Sequence, residues 1–347
     1  MAAVVLIPMK ISPEQEGLSI EDFLLKTKEL GPRTAVKRAF LEKKILINGR
    51  AAKRQDLLKT NDVVTVTADD LFTRAQLVVQ SAPELSLEIL AESSDLVVIN
   101  KPAGQNAHPL NPNERDTALN ALAAHFPEVA HSYAIDKPLE GGLVHRLDRG
   151  TSGILLCART PQTWAALREA LRSREIVKIY AAWVDGKIQS AGAYECFLFH
   201  DPKSKKRMSV SSEQPRSQNA WWTRTSITPV QTAEKDGRPV TFVLIRIHTG
   251  VTHQIRAVLA ALGHPVLGDE IYSAPRPTPL ERLPLDTETQ KHFEDLRRTM
   301  TTIHPPNSAT LPASAFFLHA LYLRSQAHPL LAREIFTRLP AYFMVST

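Results

Sequence analysis

The sequence is poor in cysteine and glycine and has no long hydrophobic run. Its 347 residues include two cysteines, Cys157 and Cys196, which follow no CxxC spacing. We therefore expect neither a disulfide framework nor a zinc site, and the reducing cytoplasm is the default location. With 14 glycines and 24 prolines the chain is neither collagen-like nor of low complexity. No stretch approaches the roughly 18 apolar residues of a membrane span, and the N-terminal residues lack a signal-peptide cleavage site.

The composition is typical of a soluble protein with a buried core. Hydrophobic residues make up 43% of the chain and charged residues 22%. At roughly 150 residues per domain, the length suggests about two domains. The sequence shows no sign of a protein partner and is compatible with a monomer.

Positive charge is concentrated in one short segment. The whole chain carries a formal charge of +6, whereas residues 33–54 alone carry +7, because eight basic residues stand against one acid, Glu42. These basic residues are Arg33, Lys37, Arg38, Lys43, Lys44, Arg50, Lys53 and Arg54. A phosphate-binding surface requires charge concentrated in this way, so the segment favours a nucleic-acid partner.

Periodicity and composition divide the chain into two domains. Apolar spacing predicts helices over 18–30, 33–44 and 160–173, the last with Thr160 as its N-cap, and Asn48-Gly49 predicts a hairpin turn. We expect an N-terminal extension over 1–16, a small domain over 17–68, a linker over 69–86 and a larger domain over 87–347. In the larger domain many strands are separated by few helices, which indicates an α+β fold. The Pro- and Thr-rich residues 273–315, with one helical stretch, resemble an insertion.

Asp148 is the strongest candidate for a catalytic group. It lies in a turn-prone stretch between two apolar runs, flanked by Arg146 and Arg149. A carboxylate held beside cations stays ionised and can act as a nucleophile or a base. The alternative is an Asp that caps its own turn, and the local residues alone favour this alternative. The segment lacks the spacing of a phosphate-binding loop and the GxSxG pattern of a hydrolase.

Five segments, taken in order, resemble the RluA-type family of pseudouridine synthases. They are VVINKPAG at 97–104, HRLDRGTSGILL at 145–156, KIYAAWVDG at 178–186, TGVTHQIRAVLAALGHPVLGD at 249–269 and FFLHALYL at 316–323. The resemblance covers most of the chain. Residues 17–68 are similar to the small S-four-like RNA-binding domain that is often fused in front of such enzymes.

The resemblance implies a fold, a reaction and a substrate class. The implied fold is α+β, with a large mixed, mostly antiparallel sheet surrounded by helices and loops and an active-site cleft across its middle. The implied reaction detaches the uracil of an RNA uridine from its ribose, turns the base and joins the two through carbon. No group is transferred from outside and no redox change occurs, so no cofactor is expected.

The resemblance also implies roles for particular residues. Asp148 matches the catalytic aspartate, Tyr180 an aromatic residue packed against the target base, and Arg256 an arginine that pairs with the aspartate. The substrate-binding residues implied in the large domain are Arg146, which enters the RNA stack as the base leaves, His145 and Ile255. In the small domain they are Arg33, Lys37 and Arg38. No metal is predicted, because the histidines and acids lack ligand spacing.

Three positions depart from the family pattern, and several functions stay open. Gly150 stands where an acidic residue is common, Val251 where arginine is common, and residues 139–142 replace the usual approach to the catalytic segment. Large-subunit ribosomal RNA is the expected substrate, with transfer RNA as the alternative. The other hypotheses are a non-catalytic RNA-binding or ribosome-assembly protein on the same scaffold, and a glycosidase-like enzyme that acts on free nucleosides.

Overall fold

The chain forms two β-sheets, each with its own hydrophobic core. The computed structural model describes residues 6–27, 33–67, 78–134, 137–204, 206–216, 219–300 and 311–343. No helix within these ranges is both long enough and apolar enough to cross a membrane.

The described part of the N-terminal domain has a four-stranded sheet and two α-helices. In chain order these are β1 (Leu6–Lys10), α1 (Ile20–Thr27), α2 (Arg33–Leu41), β2 (Ile45–Ile47), β3 (Arg50–Ala51) and β4 (Val63–Thr67). The strands are ordered β1-β4-β2-β3. Helix α1 buries Ile20, Phe23 and Leu24, whose spacing of three and four residues puts them on one face. The predicted hairpin turn is confirmed, since Asn48 and Gly49 have φ values of 50° and 81°.

Two of the predicted boundaries are wrong. Residues 6–10 are not an extension but strand β1, which pairs with β4 from Leu6 opposite Thr67 to Lys10 opposite Val63. A partner more than fifty residues away leaves no local pattern. Residues 69–77 of the predicted linker lie outside the described residues, but Val79 and Ala82 are buried, and their N–H groups donate to carbonyls of the larger domain.

The larger sheet is mixed and mostly antiparallel, which confirms the predicted fold class. Its described strands are β5 (Glu88–Glu92), β6 (Leu96–Lys101), β7 (Ser152–Ala158), β8 (Val177–Asp185), β9 (Gly192–His200), β10 (Met208–Ser211), β11 (Ala220–Lys235), β12 (Arg238–Ile247), β13 (Leu318–Arg324) and β14 (Ile335–Phe336). Their order is β10-β9-β11-β12-β8-β13-β7-β6-β5, and β14 pairs with β13. β13 and β7 run parallel, whereas the other pairs of neighbours in this order run antiparallel.

Strand β8 is central, and both of its faces are buried. Ile179, Ala181 and Trp183 pack in one hydrophobic cluster, whereas Tyr180 and its alternating neighbours pack in another. Side chains alternate between the faces of a strand, so this arrangement gives the sheet two covered sides. The face that carries Tyr180 is the one on which the candidate site lies.

The helices of the larger domain cover these faces. They are α3 (Ala118–His125), α4 (Pro161–Arg172), α5 (Gln254–Ala261), α6 (Thr287–Thr299) and α7 (Pro329–Ala332). Helix α4 begins as predicted, since the Thr160 hydroxyl accepts a hydrogen bond from the Thr163 N–H at 3.2 Å. Helix α6, inside the predicted insertion, buries Phe293 and Leu296 in the cluster opposite Tyr180. Residues 301–310 of that segment lie outside the described residues.

Candidate active site

Asp148 lies in a tightly held loop that leads into β7. The Asp148 carbonyl accepts a hydrogen bond from the Thr151 N–H at 3.0 Å, which closes a turn. The Arg149 carbonyl accepts a hydrogen bond from the Gly104 N–H at 2.8 Å. At Gly150, an added Cβ would come within 2.3 Å of the Phe316 ring. This close packing is a physical reason for glycine at a position where the family commonly has an acid.

Lys101 supports this loop from beneath. Its ammonium is buried and donates to the carbonyls of Pro102 at 2.7 Å, Gln105 at 2.8 Å and Arg149 at 3.4 Å. Burial lowers the pKa of Lys101 to about 7, while the charge of Asp148 opposes the decrease. Lys101 is not among the site residues expected from the sequence, because nothing in its local pattern shows where its side chain points.

Arg256 joins Asp148 to a second carboxylate. Its Nη1 donates to Asp148 Oδ2 at 2.8 Å, and its Nε and Nη2 donate to the two oxygens of Asp269 at 2.6 and 2.8 Å. The side chains of Arg256 and Asp269 are 4% and 0% exposed, whereas that of Asp148 is 26% exposed. The bidentate pair with Asp269 fixes the guanidinium plane, so the remaining N–H groups are aimed at Asp148.

His253 approaches Asp148 from the start of α5. Its Nε2 is 3.8 Å from Asp148 Oδ2, and its Nδ1 is 3.2 Å from the Tyr272 hydroxyl. The residue has a left-handed backbone with φ of 55°, a conformation that non-glycine residues rarely adopt. Burial lowers the pKa of His253, and the charge of Asp148 partly offsets the decrease. No local pattern in the sequence indicates that His253 lies beside the carboxylate.

A cavity of about 900 Å³ brings together the six residues that the sequence predicted in the larger domain. They are His145, Arg146, Asp148, Tyr180, Ile255 and Arg256. Tyr180 is buried on β8, and burial followed by the charge of Asp148 raises the pKa of its hydroxyl, which keeps the phenol neutral. Ile255 is buried on α5 and forms part of an apolar wall.

Arg146 and His145 occupy different positions in this cavity. The Arg146 side chain is 48% exposed, and its Nη1 lies 3.4 Å from both Glu140 Oε1 and His108 Nε2, so two long contacts hold the guanidinium at the edge of the cavity. The His145 Nε2 accepts a hydrogen bond from the Leu156 N–H at 3.3 Å. Burial, followed by the charge of Lys178, lowers the pKa of His145 to about 3, so the ring is neutral.

Asp148 also faces a second cavity. This cavity, of about 1190 Å³, shares Asp148, Arg149, His253 and Arg256 with the first and extends toward the turn between β11 and β12. The carboxylate is therefore neither fully exposed nor enclosed, and it lies where two open grooves meet. A polynucleotide needs an open surface of this kind in order to pass across a reacting group.

The cations predicted in the N-terminal domain lie on α2. Lys37 is exposed, whereas the side chains of Arg33 and Arg38 lie outside the described part of the structure. Within the described ranges, no group of three or more His, Cys, Asp or Glu residues could hold a metal ion.

Comparison with known proteins identifies the family. Residues 95–261 match the RNA pseudouridylate synthase family. The ribosomal large subunit pseudouridine synthase D of Escherichia coli O6:H1 is 31% identical over 80% of this chain and 79% of its own. The uncharacterized RNA pseudouridine synthase YlyB of Bacillus subtilis is 29% identical over 78% of this chain and 84% of its own.

The solved structure titled "Human RNA Pseudouridylate Synthase Domain Containing 4" is 25% identical in sequence. It aligns with 74% of this chain and 90% of the human chain, with a TM-score of 0.49. The sequence relatives carry the assignment: this chain belongs to the RluA-type family of RNA pseudouridine synthases and is an isomerase that acts on RNA.

Proposed function

We propose that this enzyme isomerises specific uridines of large-subunit ribosomal RNA in the cytoplasm, with Asp148 as its catalytic group. The observation that carries the proposal is the Asp148 carboxylate, held by Arg256 at 2.8 Å in the cavity that Tyr180 also lines. The Escherichia coli relative, whose name specifies the ribosomal large subunit, supports the choice of RNA.

The residues around Asp148 suit the individual steps of this reaction. The target nucleotide must leave its helical stack, which costs a few kcal/mol, and the half-exposed Arg146 is placed to occupy the space that it leaves. Tyr180 and Ile255 offer an aromatic face and an apolar wall to the flat base. Arg256 donates a hydrogen bond to the carboxylate and orients it toward the ribose and base.

Three courses are open to the carboxylate: attack on the ribose, attack on the uracil ring, or removal of a ribose proton. All three are compatible with a carboxylate that Arg256 orients. All three also leave the atoms of the substrate unchanged in number, so the proposed reaction requires no cofactor.

We further propose that residues 6–67 form an S-four-like RNA-binding domain. Its helix α2 carries Arg33, Lys37 and Arg38, within the segment of concentrated positive charge. The domain would hold the RNA near the catalytic domain through phosphate contacts, and base recognition would be left to the cavity.

The substrate is tested with RNA that lacks the modification. Incubation of the purified enzyme with large-subunit ribosomal RNA from cells without its gene should form pseudouridine at discrete positions, as mapped along the RNA. Transfer RNA from the same cells is the comparison. Modification of transfer RNA alone would contradict the choice of ribosomal RNA, and absence of pseudouridine in both would favour a non-catalytic RNA-binding protein.

Replacing Arg33 and Lys37 together by Ala should weaken RNA binding and flatten its dependence on salt. Each phosphate contact that is lost reduces the slope of log affinity against log salt by roughly 0.7–0.9, so we expect a decrease of about 1.5. Filter binding at several salt concentrations measures the slope. Lys187→Ala combined with Lys291→Ala removes two exposed cations of the larger domain and is the matched control. An identical slope in the parental enzyme and the Arg33/Lys37 variant would show that α2 does not contact RNA.

A further inference from the structure

Lys178 is a partly buried cation for which the described residues provide no partner. It lies on β8 two residues before Tyr180 and lines the same cavity, so both side chains project from one face of the strand. Among the residues that the structure describes, none forms a hydrogen bond or ion pair with the Lys178 ammonium. The Lys101 ammonium, by contrast, donates hydrogen bonds to three carbonyl oxygens.

The surroundings of Lys178 leave its ammonium open toward the cavity. A Cβ at position 250 would lie 3.5 Å from Nζ, an ordinary van der Waals distance, so the Gly250 backbone lies beside the ammonium. The neighbouring lining residues Ile247, Val251 and Ile255 are apolar. A cation in such a setting is costly unless a ligand supplies an oxygen atom. Burial accordingly lowers the pKa of Lys178 to about 8, which leaves the side chain largely protonated at pH 7.

Lys178, Tyr180 and Asp148 line one cavity. The charge of Asp148 contributes to the raised pKa of Tyr180, so the carboxylate lies near the phenol. Two residues of a strand span about 6.6 Å, a distance comparable to the width of a pyrimidine with its carbonyl oxygens. A base that lies along Tyr180 can therefore present a carbonyl oxygen to Lys178.

We propose that Lys178 is a further catalytic residue: its ammonium donates a hydrogen bond to a carbonyl oxygen of the target uracil and stabilises the negative charge that the base acquires. This inference rests on the proposed function. Where the oxygen is O4, the contact also selects uracil, because cytosine carries an amino donor at that position.

Negative charge reaches the uracil oxygens in each of the three courses. If the carboxylate forms a bond to C1′, the N1–C1′ bond breaks with its electron pair on the base. If it removes the C2′ proton, a C1′–C2′ double bond forms and the base again leaves as an anion. If it adds to C6 of the ring, the electron pair moves onto O4. In this third course the N1–C1′ bond breaks while the base is still joined to the carboxylate through C6. In every course the bond between C5 and C1′ then forms, C5 loses its proton and N1 gains one. The carboxylate is regenerated by loss of its bond to C1′ or C6, or by return of the proton to C2′.

The test measures single-turnover rates on large-subunit ribosomal RNA at saturating enzyme. Lys178→Met should lower the rate about 10²–10³-fold, the usual effect of removing one donor from a developing negative charge. The dissociation constant for RNA should change less than threefold. Lys187→Met, an exposed lysine just beyond the end of the same strand, should keep the parental rate.

A pH profile separates this role from a structural one. The parental rate should fall as the pH rises through about 8, and the residual rate of Lys178→Met should lack this decrease. The other titratable groups facing this part of the cavity are His145 on the catalytic segment, Arg168 on α4, Tyr180 on β8 and His253 before α5. The pKa values of His145 and His253 are lowered and the pKa of Tyr180 is raised. We therefore expect none of the three to ionise near pH 8. Lys101, with a pKa of about 7, would affect both enzymes equally.

The outcomes distinguish this inference from the proposed function. An absence of pseudouridine with the parental enzyme overturns the proposed function itself. An active parental enzyme whose Lys178→Met variant has the same rate and the same pH profile overturns only the role of Lys178. If the Met variant does not fold, Lys178→Arg is the test variant. A guanidinium keeps its charge, so the decrease in rate near pH 8 should be absent from this variant. A decrease that persists there in the Arg variant contradicts the inference.

Discussion

Replacing Asp148 by Asn is expected to abolish pseudouridine formation and to leave RNA binding within a few-fold of the parental value. The amide keeps the size of the side chain but can neither form a covalent bond to the substrate as a carboxylate does nor accept its proton. Removing the central reacting group of an enzyme costs roughly 10⁴-fold or more in rate. Single-turnover assays measure the rate, and filter binding with the same RNA measures the affinity.

The control for this prediction is Asp295→Asn. Asp295 is an exposed acid of α6, 3.9 Å from Arg298, and it lines neither of the two cavities. We expect the parental rate from this variant. If Asp148→Asn isomerises uridine as fast as the parental enzyme, the catalytic group is another residue and the account of the cavity given above is wrong.

Replacing Arg256 by Met should cost both stability and activity. The substitution leaves the fully buried Asp269 carboxylate without its bidentate partner. Breaking a buried ion pair by removing one partner costs about 3–5 kcal/mol of unfolding free energy. The same change removes the group that orients Asp148, so the single-turnover rate should fall by at least about 10²-fold. Chemical denaturation measures the stability, and the assay used for Asp148 measures the rate.

Two further variants separate these effects. Adding Asp269→Asn to Arg256→Met removes the unpaired charge and should restore part of the stability but none of the activity. Arg246→Met, on β12, breaks a buried contact with Glu288 and Thr289 on the other side of the sheet, and should lower the stability without a loss of rate in the folded protein. Full activity in folded Arg256→Met would show that Asp148 does not depend on its guanidinium partner.

The sequence was most informative where the chemistry is local. HRLDRGTSG marked Asp148 through family resemblance, the spacing of apolar residues predicted α1, α2 and α4, and Asn48-Gly49 predicted the turn. It was least informative about pairs separated along the chain. Strand β1 was interpreted as an extension because its partner β4 lies more than fifty residues later.

The candidate site shows the same division. Arg256 was matched to the aspartate only through family resemblance, since 108 residues separate the two. Asp269, which fixes the plane of the Arg256 guanidinium, was missed, because a fully buried acid looks like any other acid in a turn. In the sequence, Lys178 is part of a strand motif. Only the structure shows that it lines the cavity, partly buried, without a partner among the described residues.

By itself, the sequence indicated the class of fold through its periodicity, and its resemblance to a family implied the candidate catalytic residue and the type of reaction, because the resemblance rests on residues grouped in short motifs. The tertiary structure decided which distant side chains share one cavity, which of them are charged, and which lack a partner. Distances across a sheet and the removal of water change a side chain's surroundings, and neither is encoded in the residues that adjoin it along the chain.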